Sequence, residues 1–331
     1  MGNRPTGTDV NQIATTSLSQ IRGQPRVIEQ LQLHLSAHFK MATAQNRPAF
    51  GPVLLSGPSG TGKTMTARAI HAELGNLKFV ETNGVTLNKK QALRWTLLKA
   101  DSLTTVFIDE AQGLNTEAQY MLLTALSAKV LHVPDGSPNR LFAVPLDGFV
   151  VLLATTHEYL LQEALRNRMR IICRFDYYSV ADLAEIVRRH ANALKCPYES
   201  DEIPHMIAQR AKATPRQALH RNLQTCWEVA TSRDHDLITV EDAHEAFGLL
   251  QIDELGLDAM DRCYLGVLAR RGRASLNILS AKLGLPHLTV QRVIEPYLIR
   301  EDLITKDRSS LRVITDKGRR HIEANVRSDK E

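Results

Sequence analysis

Gly57-Pro58-Ser59-Gly60-Thr61-Gly62-Lys63-Thr64 decides how this chain is read, because it fits G-x-x-x-x-G-K-[ST] at every defined position. Glycines at this spacing let successive backbone N–H groups turn inward around phosphate oxygens. The apolar stretch Val53 to Ser56 precedes the motif and a helical pattern, Thr64 to Leu74, follows it. That gives the strand–loop–helix context the chemistry needs, with the positive end of the helix aimed at the anion. Lys63 is placed to neutralise the β- and γ-phosphates, and the Thr64 hydroxyl to meet Mg²⁺.

Roughly 45 residues further on, Val106-Phe107-Ile108-Asp109-Glu110 reads as a buried strand carrying two carboxylates to its C-terminal end. Open α/β sheets bind ligands at that end. Asp109 is the candidate Mg²⁺ ligand with Thr64, and Glu110 the group that orients and polarises a water. Two adjacent acids alone are commonplace; the buried strand behind them gives them weight. Thr155 and Thr156 end a further apolar strand, Val150 to Ala154, where a hydroxyl can reach the phosphate or the water, or simply cap a turn. Arg168 and Arg216 are, by composition alone, surface cations.

Outward from these motifs, Lys78 to Thr82 is a strand and Leu114 to Ala128 a helix. Val130 to Val133 and Leu141 to Val144 flank Pro134-Asp135-Gly136-Ser137-Pro138-Asn139 as a β-hairpin. Alternating strands and helices predict an α/β fold with a largely parallel sheet. From Val180 the strand signals stop: Val180 to Leu194, Ile203 to Ala213, Pro215 to Thr231 and Val240 to Leu250 read as helices. Thr239 to Asp242 is a capping-box start, and Thr214-Pro215 an N-cap with proline at the first helical position. From Leu257 three short helices precede two strands, Leu303 to Thr305 and Leu311 to Thr315, as in a winged helix. The domains expected are a flexible leader 1–17, an ATPase core 18–178, a helical lid 179–252, a winged helix 253–322 and a flexible tail 323–331.

The whole chain has 331 residues, 43% of them hydrophobic and 23% charged, which excludes a disordered chain. No apolar run approaches the length that spans a bilayer, and the start shows no secretory core, so a cytoplasmic protein without membrane contact is expected. The opening Met1-Gly2-Asn3-Arg4-Pro5-Thr6 fits the loose myristoylation pattern, and is read as a chance match. Cys173, Cys196, Cys226 and Cys263 are spaced too widely for a CxxC pair, and His34 and His38 are read as solvated or core residues, so neither a disulfide framework nor a zinc site is expected. The net charge is only +5, yet Arg262 to Arg320 alone carries 13 Lys or Arg against 5 Asp or Glu. Concentrated cationic charge suits a module that tracks phosphates, or is an idle solvated face.

The order of these motifs resembles an AAA+ ATPase, and with the lid and winged helix it resembles the RuvB family, the bacterial motors of Holliday-junction branch migration. The resemblance covers roughly residues 18 to 322. Its most specific segments are Leu146 to Thr156 (LDGFVVLLATT), Leu165 to Met169 (LRNRM), Thr214-Pro215-Arg216, Met260-Asp261-Arg262 and Glu295-Pro296-Tyr297-Leu298-Ile299. It implies an ATP-driven DNA translocase on Holliday junctions and double-stranded DNA, working with ATP and Mg²⁺ as a homo-oligomeric, hexameric ring. The alternative is a nucleotide-switched DNA-binding protein of the replication-initiator or loader type.

By the same resemblance, Thr155 and Thr156 are the sensor-1 pair, Arg168 the finger reaching a neighbouring subunit's site, and Arg216 the sensor-2 arginine. Ile21 and Arg22 lie in the adenine-side segment. Lys306, Arg308 and Arg312 fall in the wing that contacts the DNA backbone. The hairpin with Leu131, Val133, Leu141 and Phe142 corresponds to the docking site for RuvA, and a RuvC-type resolvase is a further partner; an ordinary buried hairpin stays open, since sequence does not show which strand face is exposed. Four segments depart from the family pattern. DEIHR reads Asp109-Glu110-Ala111-Gln112-Gly113, the arginine after the paired threonines is His157, YIGQ reads Ile21-Arg22-Gly23-Gln24, and PPGLGKTTLA reads Pro58-Ser59-Gly60-Thr61-Gly62-Lys63-Thr64-Met65-Thr66-Ala67.

Overall fold

The computed structural model describes residues 16–41, 49–134 and 141–328. Among these, residues up to Asp182 together with Thr214–Arg216 form one compact unit; Leu183–Ala213 and the residues from Gln217 onward form another.

The first unit is built on five parallel strands: β1 (Val53–Ser56), β2 (Lys78–Asn83), β3 (Thr104–Asp109), β6 (Val150–Thr155) and β7 (Ile171–Arg174), in the order β2-β3-β6-β1-β7. β1, β3 and β6 are near-continuous apolar runs because both faces of the sheet are covered. Their side chains divide by the two-residue strand period. Leu54, Val106, Ile108, Val151 and Leu153 pack on one face with α3 (Lys90–Leu98) and α4 (Thr116–Ala128). Val53, Leu55, Phe107, Leu152 and Ala154 pack on the other with α1 (Pro25–Met41) and α2 (Lys63–Leu74).

A separate antiparallel pair joins β4 (Val130–Pro134) to β5 (Leu141–Pro145), with Leu131 opposite Val144 and Val133 opposite Phe142. The turn of this hairpin lies outside the described residues, as do most of the leader and the Met1–Thr6 match. Two elements and one short helix have no counterpart in the sequence reading. α3 starts without a side-chain cap at Lys89. β7 is four residues long and ends in Arg174, too short for a periodicity. α5 (Glu163–Arg168) is a single short helix carrying the LRNR stretch.

In the second unit, α6 (Val180–Leu194) continues from the first, followed by α7 (Glu202–Gln209), a π-helical stretch Gln217–Leu223 running into α8 (Gln224–Ser232), and α9 (Val240–Leu249). The capping box at Thr239 and Asp242 forms with both its hydrogen bonds. Then come α10 (Ala259–Arg271), β8 (Arg273–Ala274), α11 (Leu276–Leu283), and α12 (His287–Thr289), which runs through a π-helical stretch into α13 (Glu295–Arg300). β9 (Ile304–Lys306) and β10 (Arg312–Ile314) form the wing, and β8 adds a third strand beside β10, which the sequence reading did not include. α14 (Asp316–Ser328) continues past residue 322. Tyr264, Leu265, Leu268, Leu279, Val290 and Leu298 are core residues of this winged helix. All four cysteines are unpaired, and no described helix is long and apolar enough to cross a membrane.

Candidate functional site

The C-terminal ends of β1, β3 and β6 bring Gly57, Asp109 and Thr155 side by side, and the Gly57 N–H donates to the Thr155 carbonyl at 3.2 Å. Gly57 has φ 151° and leaves no room for a side chain, since a Cβ there would meet the Phe175 carbonyl oxygen at 2.5 Å. Gly62 sits in the left-handed region at φ 96° and starts α2 without any side-chain cap, so the first amides of that helix stay available to an anion.

Lys63 is only 7% exposed, and its ammonium donates to the carbonyls of Gly57 at 2.8 Å and Pro58 at 2.7 Å. Burial pulls its pKa down to about 8, with the nearby Glu110 and Asp109 carboxylates opposing the shift and Arg216 adding to it. Thr64 Oγ1 donates to Asp109 Oδ2 at 3.3 Å. Ser59 accepts from Arg216 at 2.9 Å, and the Arg216 N–H reaches the Gly60 carbonyl at 3.4 Å. The sequence-predicted loop, the two acids and Arg216 therefore converge.

Glu110 stands in the left-handed region at φ 45° just beyond β3, which turns its side chain out of the strand direction. One of its carboxylate oxygens accepts from the Gln112 amide and, at 3.1 Å, from the Thr156 hydroxyl. Thr155 is fully buried and donates to Gln112 Oε1 at 2.6 Å. Gln112 was missed as a site residue; it stood out in sequence only as a departure from the family pattern.

Tyr178 was also missed. Its ring packs where any side chain on Gly23 would have to go, and its hydroxyl donates to the Thr61 carbonyl at 2.9 Å. Burial pushes its pKa up to about 12, so it stays a donor at neutral pH. Arg22 bonds the carbonyls of Ser19 and Ile21, while Gln24 pairs with the Asp176 backbone. The Ile21–Gln24 segment is thus tied to the strand-end residues beside the phosphate loop.

Arg168 lies apart from this cluster: its guanidinium donates to the Leu126 carbonyl at 2.9 Å, and among the described residues it makes no hydrogen bond to the phosphate loop. In the hairpin, Leu131 is buried in the core and Val133 is half-buried against it, while Leu141 and Phe142 are 57% and 52% exposed.

The expected surface role of Arg312 is corrected. Arg312 is 5% exposed and forks onto Glu295, with Nε to Oε1 at 2.7 Å and a terminal nitrogen to Oε2 at 3.2 Å. Strand alternation turns it inward beneath the wing. Lys306 is exposed yet pairs with the same Glu295 at 2.9 Å, and Arg308 is exposed in the turn.

Against known proteins, residues 13–175 match the Holliday junction DNA helicase RuvB P-loop domain. Residues 178–253 match the RuvB AAA lid domain, and 254–323 the RuvB C-terminal winged helix domain. Among solved structures, the Thermotoga maritima RuvB Holliday junction branch migration motor is 31% identical, with a TM-score of 0.79 over 94% of this chain and 98% of that one. Two mutants of the same protein are each 30% identical over 94% of this chain, covering 99% and 98% of theirs at TM-scores of 0.82 and 0.80. A P-loop ATPase core followed by that lid and that winged helix, matched over nearly the whole chain, makes this protein a member of the RuvB family of AAA+ ATPases.

Proposed function

We propose that this chain is an ATP-driven translocase that moves Holliday junctions on double-stranded DNA in the cytoplasm. It works as a hexameric ring in which ATP is hydrolysed between protomers. The observation that carries the reading is the convergence of the phosphate loop, the Asp109–Glu110 pair and Arg216 in one compact unit.

The amides of the loop and of the start of α2 bind the phosphates. Lys63 exchanges its two loop carbonyls for phosphate oxygens, a neutral partnership for a charged one. A hydroxyl and a carboxylate 3.3 Å apart are the hard oxygen donors Mg²⁺ prefers, so Thr64 and Asp109 fit as its holders. Held by these two groups, Mg²⁺ would supply charge neutralisation of the phosphates. Glu110 accepts a proton from the attacking water and orients it, Thr156 braces the Glu110 carboxylate through its hydroxyl, and Thr155 supports from the buried side. Arg216 contacts the nucleotide within its own protomer. Arg168 reaches a neighbour's site, where an arginine finger contributes about 10³–10⁵ in rate.

Lys306 and Arg308 are the wing residues we assign to the DNA backbone, without Arg312. Backbone contacts carry little sequence information, so no sequence preference is expected. Exposed Leu141 and Phe142 suit an apolar dock for a RuvA-type protein, and a RuvC-type resolvase would share the junction.

The test is branch movement on a four-way junction, with and without a RuvA-type protein, using Glu110→Gln as the inactive control. ATP-dependent movement lost in the control is the expected result. Stable ATP-dependent junction binding with no movement would overturn the reading in favour of a nucleotide-switched binding protein.

A further inference from the structure

Two of the positions where this chain departs from the family pattern, Gln112 and His157, meet around one group. The Gln112 amide nitrogen reaches both Glu110 Oε2 and Thr156 Oγ1, the latter at 3.0 Å. His157 Nδ1 lies 2.8 Å from Thr156 Oγ1, and the His157 backbone N–H donates to Thr155 Oγ1 at 3.1 Å.

With the Thr156 hydroxyl donating to Glu110, donor counting gives one consistent set of protons for this ring. An ionised carboxylate only accepts, so the single Thr156 proton goes to Glu110. The Thr156 oxygen must then accept from both other neighbours, one Gln112 N–H and the Nδ1–H of His157. The second Gln112 N–H goes to Glu110. The Thr155 hydroxyl, donating to Gln112 Oε1 at 2.6 Å, holds the amide the right way round. A flipped amide would set its oxygen against the Glu110 carboxylate, which only accepts.

We infer that Gln112 is a positioning residue for ATP hydrolysis: oriented by buried Thr155, it anchors one oxygen of the Glu110 carboxylate to the end of β6 and leaves the other to face the water. The need is specific to Glu110, whose exposed side chain sits on a left-handed backbone turn with no strand to steer it. Anchoring removes the rotamers in which the carboxylate points away from the reacting water, which is a contribution to orientation rather than to binding.

This inference rests on Glu110 acting as the general base, and its test separates the two. Steady-state ATPase is measured on the full chain with junction DNA, alongside equilibrium binding of a fluorescent ATP analogue. Gln112→Ala should lower kcat about tenfold with KM and analogue affinity unchanged, the pattern of an interaction that matters in the transition state. Gln112→Met, equal in length but without the donors, should do the same while melting at the temperature of the unaltered chain. Gln112→Glu should be at least as slow, because it sets a carboxylate against Glu110.

Thr155→Val should lower kcat alone, yet add nothing to Gln112→Ala, since Thr155 acts by orienting the amide. A merely structural role predicts additive losses, and additive losses would overturn the proposal. So would Gln112→Ala turning over as fast as the unaltered chain while Glu110→Gln is dead. Full turnover by Glu110→Gln would instead remove the general-base reading beneath it.

Discussion

Arg312 offers the sharpest test of how charge is used in the winged helix. Its side chain and that of Glu295, 1% exposed, form a buried ion pair that also takes a hydrogen bond from the Tyr264 hydroxyl at 3.3 Å and the ammonium of Lys306. Burial pushes the Glu295 pKa up, but the bonds from Arg312 and Lys306 more than reverse this and leave it below the usual carboxylate range. Arg312→Ala strips the fork from a buried carboxylate and leaves it only the half-exposed Lys306 ammonium and the Tyr264 hydroxyl. Breaking one side of such a pair costs about 3–5 kcal/mol, a large part of the roughly 5–15 kcal/mol that holds a domain folded. In a domain this small, at about 4–8 °C per kcal/mol, that is on the order of 12–40 °C in Tm.

Replacing both partners, Arg312→Met with Glu295→Met, removes the charges together and should recover most of the loss. Melting followed by circular dichroism reads the stability. Fluorescence anisotropy on duplex DNA across a salt series reads phosphate contacts. Arg308→Ala should reduce the slope of log K against log salt by about 0.9, as one lost phosphate contact does, and the paired methionine variant should leave that slope unreduced. If Arg312→Ala melts with the unaltered chain and lowers the slope by one contact, the burial argument is wrong and Arg312 is a DNA ligand.

Lys63 predicts a pH dependence. Burial holds its pKa at about 8 rather than its ordinary 10.5, while phosphate favours the charged form, so ATP affinity should be full below about 8 and decline above it. The free chain should behave oppositely. Between about 8 and 10.5 the unfolded state holds the extra proton, so stability against unfolding rises across that window. Analogue titrations from acid to alkaline pH check the first part, and an affinity flat through pH 8–9 would refute it. Arg168→Ala should reduce turnover by about 10³ or more yet bind ATP normally, with activity partly restored by mixing in protomers that carry Arg168 but the Glu110→Gln change. A variant that keeps its rate would detach Arg168 from the chemistry.

What the linear chain determined is what depends on near neighbours or on period. Gly57 to Thr64 could be read because phosphate cradling requires its residues in one short run. β1, β3 and β6 could be read because strands buried on both faces have nearly continuous apolar runs. The Thr239 capping box and the sequence of α/β core, helices and wing were readable for the same local reason.

Tertiary structure decided everything that turns on which face looks inward or which distant segments meet. The face of Leu131 stayed open in the sequence and Arg312 looked like a surface residue, because a strand's inner and outer faces differ by a single step of register and only packing chooses between them. Gln112 gained its place from threonines more than forty residues away, and Tyr178 from a glycine and a loop carbonyl far earlier in the chain. Hydrogen bonds of that span leave no periodic trace, since they depend on how strand ends come together and not on the spacing of residues along the chain.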